Sequence, residues 1–251
     1  MYRFALRVPR HERAALGRLL SADERQRAAR FHFAGDRDRF VVARGRLRLV
    51  LACAGAGAPD RIRFAYGRHG KPSLALQPEL QFNLSHTVDV AVVAVTENAA
   101  VGVDIEGLQR GRRLAQAAHH FFSAAERTAL LQLADDIRAE AALRCWCRKE
   151  AFLKARGEGL ARPLDSFDVA VADLARRRDG SLLLATRPDS RESAHWDVRD
   201  IDVGAGYAAA VAVRGRIGRV DLGSERPRRS SCGRDQDSTA SIGRVLTPAD
   251  V

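Results

Sequence analysis

Apolar side chains between residues 11 and 57 recur at helical spacing, at Leu16, Leu19 and Leu20 and then at Val41, Val42, Leu47, Leu49, Val50 and Leu51, with arginines between them. Recurrence every three to four residues lays one apolar stripe along a helix, so this stretch is predicted helical with its arginines to one side. The run Tyr66-Gly67-Arg68-His69-Gly70-Lys71-Pro72 breaks the pattern with two glycines and a proline and marks a loop. Past it the period changes. Residues 81–84, 90–95 and 101–105 are apolar or β-branched runs separated by Ser85-His86-Thr87 and Thr96-Glu97-Asn98, which predicts an antiparallel meander.

A second helical block is predicted from 114 to 154. Within it, Ser123-Ala124-Ala125-Glu126 has the spacing of a capping box, so a helix is expected to start there. Strand-like runs follow at 166–171, 181–185, 195–198 and 207–213. Helices followed by antiparallel strands thus occur twice. This predicts an α/β chain of the α+β kind in two halves, 1–106 and 107–215, alike in organisation but without a sequence repeat. From Arg216 the chain is rich in Gly, Ser, Arg, Pro and Asp, and 216–251 is expected to be a disordered tail.

At 251 residues and 46% hydrophobic, the chain can bury a substantial core. It has no apolar run of membrane-spanning length, and the start MYRFALRVPRHER scatters charges where a signal peptide has an apolar block. A cytoplasmic protein is expected. The four cysteines form no CxxC pair, which fits a reducing compartment and argues against a zinc site. The net charge of +11 favours acidic partners, with nucleic acid, anionic membrane and acidic protein all admissible on charge alone. Only three of the 42 basic residues are lysine: Lys71, Lys149 and Lys154. Lysine is a compact point charge where arginine is a planar fork, so each of the three invites a specific reason.

Asp104 and Glu106 lie two apart on the apolar segment Val101-Gly102-Val103-Asp104-Ile105-Glu106, which on a strand points both carboxylates to one face. Converging like charges suit a hard cation such as Mg²⁺, although an exposed strand end with a polar face gives the same pattern. Glu150 and Lys154 share a helix face in Trp146-Cys147-Arg148-Lys149-Glu150-Ala151-Phe152-Leu153-Lys154, where a simple surface ion pair is the plainer reading. Ser85 and His86 end a predicted strand, and with Lys71 upstream they supply donors and charge suited to phosphate.

Taken in order, Gly102-Val103-Asp104-Ile105-Glu106, Phe122-Ser123 with Glu126, and Trp146 with Lys149-Glu150-Ala151 and Lys154 resemble the signature of Sfp-type 4'-phosphopantetheinyl transferases. Gly70-Lys71-Pro72, Phe82-Asn83-Leu84-Ser85-His86 and the segment from Gly157 to Phe167 are also similar to that family, so the likeness spans about 21–213. The resemblance implies a pseudo-twofold pair of halves with coenzyme A in the cleft between them. It implies Asp104, Glu106 and Glu150 as ligands of Mg²⁺, with Mn²⁺ as a substitute, and Glu150 and Lys154 as catalytic residues. Lys71, Ser85, His86 and Lys154 would grip the coenzyme's phosphates, and Arg27, Arg39 and Arg44 would receive its 3'-phosphate. Glu24 stands where some members carry a phosphate-binding lysine.

The implied reaction places the phosphopantetheine arm on a serine of an acidic acyl, peptidyl or aryl carrier protein. The implied enzyme is a monomer, a pseudo-dimer with no nucleic-acid or membrane partner. Two other classes fit part of the pattern: a metal-dependent nucleotide pyrophosphate hydrolase and a basic nucleic-acid-binding protein. The second lacks any cluster of aromatic and basic residues for stacking bases.

Overall fold

A computed structural model describes residues 1–172, 177–218, 220 and 223. The first helical stretch is three helices, α1 (Arg10–Gly17), α2 (Ala22–Ala29) and α3 (Ala34–Cys53). They are preceded by a short strand β1 (Tyr2–Ala5) and followed by the hairpin β2 (Phe64–Tyr66) and β3 (Pro72–Leu74) and the strands β4 (Leu80–His86) and β5 (Val90–Glu97). The remaining elements are β6 (Val101–Gly107), α4 (Gly111–Phe121), α5 (Ala124–Leu131), α6 (Asp135–Arg156), β7 (Phe167–Val169), β8 (Leu183–Thr186), β9 (Trp196–Asp200) and β10 (Tyr207–Arg214). Both predicted helical blocks and both strand sets are present. The capping box at Ser123 starts α5 as expected, with Ser123 N–H donating to Glu126 Oε2 at 2.9 Å and Glu126 N–H returning to Ser123 Oγ at 3.3 Å.

The meander prediction needs correction. β4 and β5 do form an antiparallel hairpin, but β6 does not continue it. The free edge of β5 is taken by β1, which pairs Tyr2 with Val93 and Ala5 with Val90. β6 instead pairs antiparallel with β10, and β10 with β9. The sheets therefore run β1-β5-β4 and β6-β10-β9, and in each the first strand in the sequence pairs with the last.

Period-two alternation divides the side chains among the cores. On β5, Ala91, Val93 and Val95 pack with Phe82 under α3, where Val42, Leu47 and Leu51 face them. On β10, Ala208, Ala210 and Ala212 lie under α6 with Leu143, Phe152 and Phe167. The opposite faces meet each other: Val90, Val92 and Ala94 of β5 join Val101, Val103 and Ile105 of β6 and Ala209, Val211 and Val213 of β10. So the odd-numbered residues of β6 fill the core between the sheets, and Gly102, Asp104 and Glu106 are left on the face toward α6.

Gly102 sets how close that helix comes. A Cβ there would stand 2.1 Å from the Ala151 carbonyl oxygen and 2.2 Å from the Ala155 nitrogen, so α6 rests its backbone directly on β6. The start of the expected disordered tail is also tied down. Ile217 is buried and donates its N–H to Asp197 Oδ2 at 3.0 Å, and Gly223 N–H donates to the Met1 carbonyl at 2.8 Å. The rest of that predicted tail lies outside the described residues. Among the described residues no helix is long and apolar enough to cross a membrane.

Candidate active site

Three elements bring their functional side chains to one point. Asp104, from the α6-facing side of β6, is 4% exposed. Its Oδ1 accepts from Ser85 Oγ at 2.9 Å and from Lys154 Nζ at 2.5 Å, and Lys154 Nζ also donates to Ser85 Oγ at 2.9 Å. Ser85 comes from β4 of the first sheet and Lys154 from the last turn of α6, so this triangle spans both halves. Beside it, Asn83 Oδ1 accepts from Val103 N–H at 2.9 Å, fastening β4 to β6 through a side chain.

The second oxygen of Asp104, Oδ2, is buried without a hydrogen-bond partner. A buried carboxylate oxygen in that condition costs free energy unless something neutralises it. The Cys147 thiol lies in its neighbourhood, and burial foremost, then Asp104, pushes that thiol's pKa well up, so it stays protonated. Glu150 and Glu106 feel the same field. Burial raises the Glu150 carboxyl above its ordinary value, with Asp104 and Glu106 pushing the same way and Lys154 opposing. Burial likewise raises Glu106, and Asp104 adds to it, while the guanidinium of Arg110 donates to Glu106 Oε1 and pulls it back.

Three carboxylates and two cations, Lys154 and Arg110, thus share one partly desolvated neighbourhood. The negative surplus and the orphaned Asp104 oxygen are the donor chemistry that a hard divalent ion requires. The carboxylates do not close into a cage: among the described residues no three His, Cys, Asp or Glu side chains are gathered as a ready metal site. The ammonium of Lys154 and the guanidinium of Arg110 sit against Asp104 and Glu106 instead.

The expected phosphate-binding residues divide. His86 ends β4, and burial first, then the charges of Lys154 and Arg39, lowers its pKa; it therefore belongs to the same electropositive rim. Arg39 pairs with Asp36 at 2.6 Å on α3. Arg27 lies over the Phe40 ring at 5.4 Å, and Arg44 over Phe40 at 5.8 Å and Phe64 at 5.0 Å. Arg44 also meets Glu24 at 3.3 Å and donates to Tyr66 Oη at 3.4 Å. Lys71 is engaged elsewhere: its ammonium donates to the carbonyls of Val101 at 2.9 Å and Ala155 at 2.8 Å.

Glu24 and Lys149 prove structural. Glu24 caps α2 by accepting from Ser21 N–H at 3.0 Å and holds the buried Arg48 at 2.8 Å. Lys149 is fully buried, 2.8 Å from Glu126, and donates to the carbonyls of Leu164 and Phe167 at 2.7 and 2.6 Å. Each half therefore contains a capping glutamate that clasps a buried cation from its own long helix. Ser21 and Glu24 have the same spacing as Ser123 and Glu126, and only the second pair is read as a capping box in the sequence. Arg110, which holds Glu106, carried no comparable signal beyond its position four residues on.

Residues 100–212 match the family model of the 4'-phosphopantetheinyl transferase superfamily, and residues 8–98 that of the 4'-phosphopantetheinyl transferase N-terminal region. The chain is 33% identical over 219 residues to the 4'-phosphopantetheinyl transferase HetI of Nostoc sp., covering 86% of this chain and 87% of that protein. It is 32% identical over 192 residues to a 4'-phosphopantetheinyl transferase of Bacillus subtilis, covering 76% and 81%. A third relative, the L-aminoadipate-semialdehyde dehydrogenase-phosphopantetheinyl transferase of Eremothecium gossypii, is 38% identical over 167 residues, covering 64% and 59%.

Proposed function

The chain belongs to the 4'-phosphopantetheinyl transferase superfamily, and from that membership we propose that it moves the phosphopantetheine arm of coenzyme A onto a serine of an acidic carrier protein domain. The observation that carries the reading is the Ser85–Asp104–Lys154 triangle with Glu106 and Glu150 in its field, built where β4, β6 and α6 meet. Phosphoryl transfer asks a protein mainly for positioning and charge neutralisation, and this point supplies both.

In the proposed reaction the carrier serine Oγ bonds to the β-phosphorus of coenzyme A, the bridging P–O bond breaks, and 3',5'-ADP leaves with the electron pair. Lys154 spends two N–H groups on Asp104 and Ser85 and keeps one for a phosphate oxygen. Glu150 takes the serine proton, directly or through a water. Its raised pKa makes it a better base than an ordinary carboxylate. Asp104, Glu106 and Glu150 are the oxygen donors that would hold Mg²⁺ or Mn²⁺, and when bound such an ion neutralises charge on the pyrophosphate. Ser85 and His86 face the phosphates, and Arg27, Arg39 and Arg44 form the basic rim assigned to the 3'-phosphate.

The two family spans meet between 98 and 100, where β5 gives way to β6. With β6 paired to β10, this supports a division of the halves there rather than at 106. Both halves contribute to the triangle from one chain, which supports a monomeric enzyme. The net charge of +11 suits an acidic carrier met at low salt.

The test is to mix the protein with coenzyme A, Mg²⁺ and a panel of apo carrier domains and to weigh the carriers. One carrier should gain a single phosphopantetheine with stoichiometric 3',5'-ADP. Cleavage of coenzyme A without any acceptor would replace the reading with pyrophosphate hydrolysis.

A further inference from the structure

Lys71 stands on the turn between β2 and β3, in the first half of the chain, yet both acceptors of its ammonium belong to the second half. Ala155 directly follows Lys154 on α6, and its carbonyl lies in the final turn, where helix carbonyls lack intrahelical donors and a positive charge is favoured. Val101 begins β6, three residues before Asp104. Its carbonyl lies on the same strand edge as Val103 N–H, which turns away from β10 to meet Asn83. One ammonium therefore ties together the two elements that carry every acid and base of the proposed chemistry.

The surroundings are built around that contact. α6 ends at Gly157 in the left-handed conformation, φ 71°, and a Cβ there would stand 3.2 Å from Lys71 Cδ, so the lysine stem passes over the helix end. His69 of the same turn reaches across to Gly159. Burial lowers the lysine's own pKa to about 8, the mark of an amine held out of water. Two carbonyls from different elements converge on one nitrogen, a geometry that a point donor satisfies.

We propose that Lys71 is a positioning residue, which fixes the end of α6 on the start of β6 and so sets Lys154 and Glu150 at working distance from Asp104 and Glu106. The proposal rests on the transferase reading for its kinetic test and on the geometry alone for its structural one. It replaces the expectation that Lys71 grips the coenzyme's phosphates.

The experiment compares wild type with Lys71→Met and Lys71→Gln, whose amide keeps two N–H donors. In Lys71→Met, kcat should fall about 10- to 100-fold, the usual cost of displaced catalytic groups, with the KM for coenzyme A within about twofold. Lys71→Gln should recover part of the loss. Amide hydrogen exchange should rise at 153–157 and 101–104 in Lys71→Met, a readout that needs no turnover. Should Lys71→Met not fold, Lys71→Gln carries the same two tests. A raised KM with kcat preserved would make Lys71 a phosphate ligand and overturn the proposal, as would unchanged exchange in both segments. If wild type transfers nothing while exchange responds as expected, the transferase reading fails and the clamp stands.

Discussion

Lys154 Nζ lies 2.5 Å from Asp104 Oδ1, and the other oxygen of the same carboxylate is buried with no hydrogen-bond partner. One half of the group is thus compensated inside the protein and the other is not. Asp104→Ala is expected to remove transfer activity by about 100-fold or more, because electrostatic groups at a transferring phosphoryl carry that order of effect. On the proposed metal site, Mg²⁺ is expected to raise the melting temperature of the wild-type chain, and Asp104→Ala should remove that rise. A variant that keeps the Mg²⁺-dependent thermal shift would show that the ion is held elsewhere.

Glu106 and Glu150 both have pKa values raised above 4.5, by burial first and then by the charge of Asp104. The folded chain therefore binds protons more readily than the unfolded chain. Their contribution to stability is fully present below pH 4.5 and is lost as pH rises through the folded values. In chelator, the difference in melting temperature between wild type and Glu150→Gln should widen across that window in favour of the variant. A gap independent of pH between 4 and 8 would contradict the sign.

Lys149 and Glu126 are both buried, 2.8 Å apart, on α6 and α5. Removing one partner strands a charge in the core. Lys149→Met is expected to cost about 3–5 kcal/mol in urea denaturation, whereas Ser123→Ala, which removes a cap and a hydroxyl beside Asp168, should cost about 1 kcal/mol. Equal losses would mean that the pair carries no more than the cap.

At Gly102, a methyl group has no room between β6 and α6. Gly102→Ala must push the helix away from the strand, at a cost of about 3 kcal/mol or more, above the usual range for overpacking because the obstacle is backbone. Denaturation midpoint and kcat should fall together, since the same displacement separates Glu150 and Lys154 from Asp104. A stable variant with normal turnover would sink this account of the helix–strand spacing.

The site was readable in the sequence to the extent that it obeys local periodicity. Asp104 and Glu106 share a face because a strand alternates, and the α5 cap follows from Ser123 and Glu126 alone. What stayed hidden depends on partners distant along the chain. β1 is four residues with an arginine among them, too short to show a period, yet it displaces β6 from the meander. Lys71 was legible as an unusual residue but not as a clamp, since its acceptors lie 30 and 84 residues away and are carbonyls that every residue possesses. Glu24 looked like a lost phosphate contact because its partner, Arg48, sits two helical elements' length away in sequence.

Each lysine of this protein ends between acceptors drawn from two other parts of the fold: Lys71 on Val101 and Ala155, Lys149 on Glu126, Leu164 and Phe167, Lys154 on Asp104 and Ser85. No side-chain amine is therefore spare decoration. A reagent that acylates primary amines meets Lys154, its ammonium partly open to solvent, and Lys71, its pKa lowered to about 8, ahead of the wholly enclosed Lys149. Progressive blocking of amines should then silence the protein almost one event at a time, with coenzyme A as the natural shield.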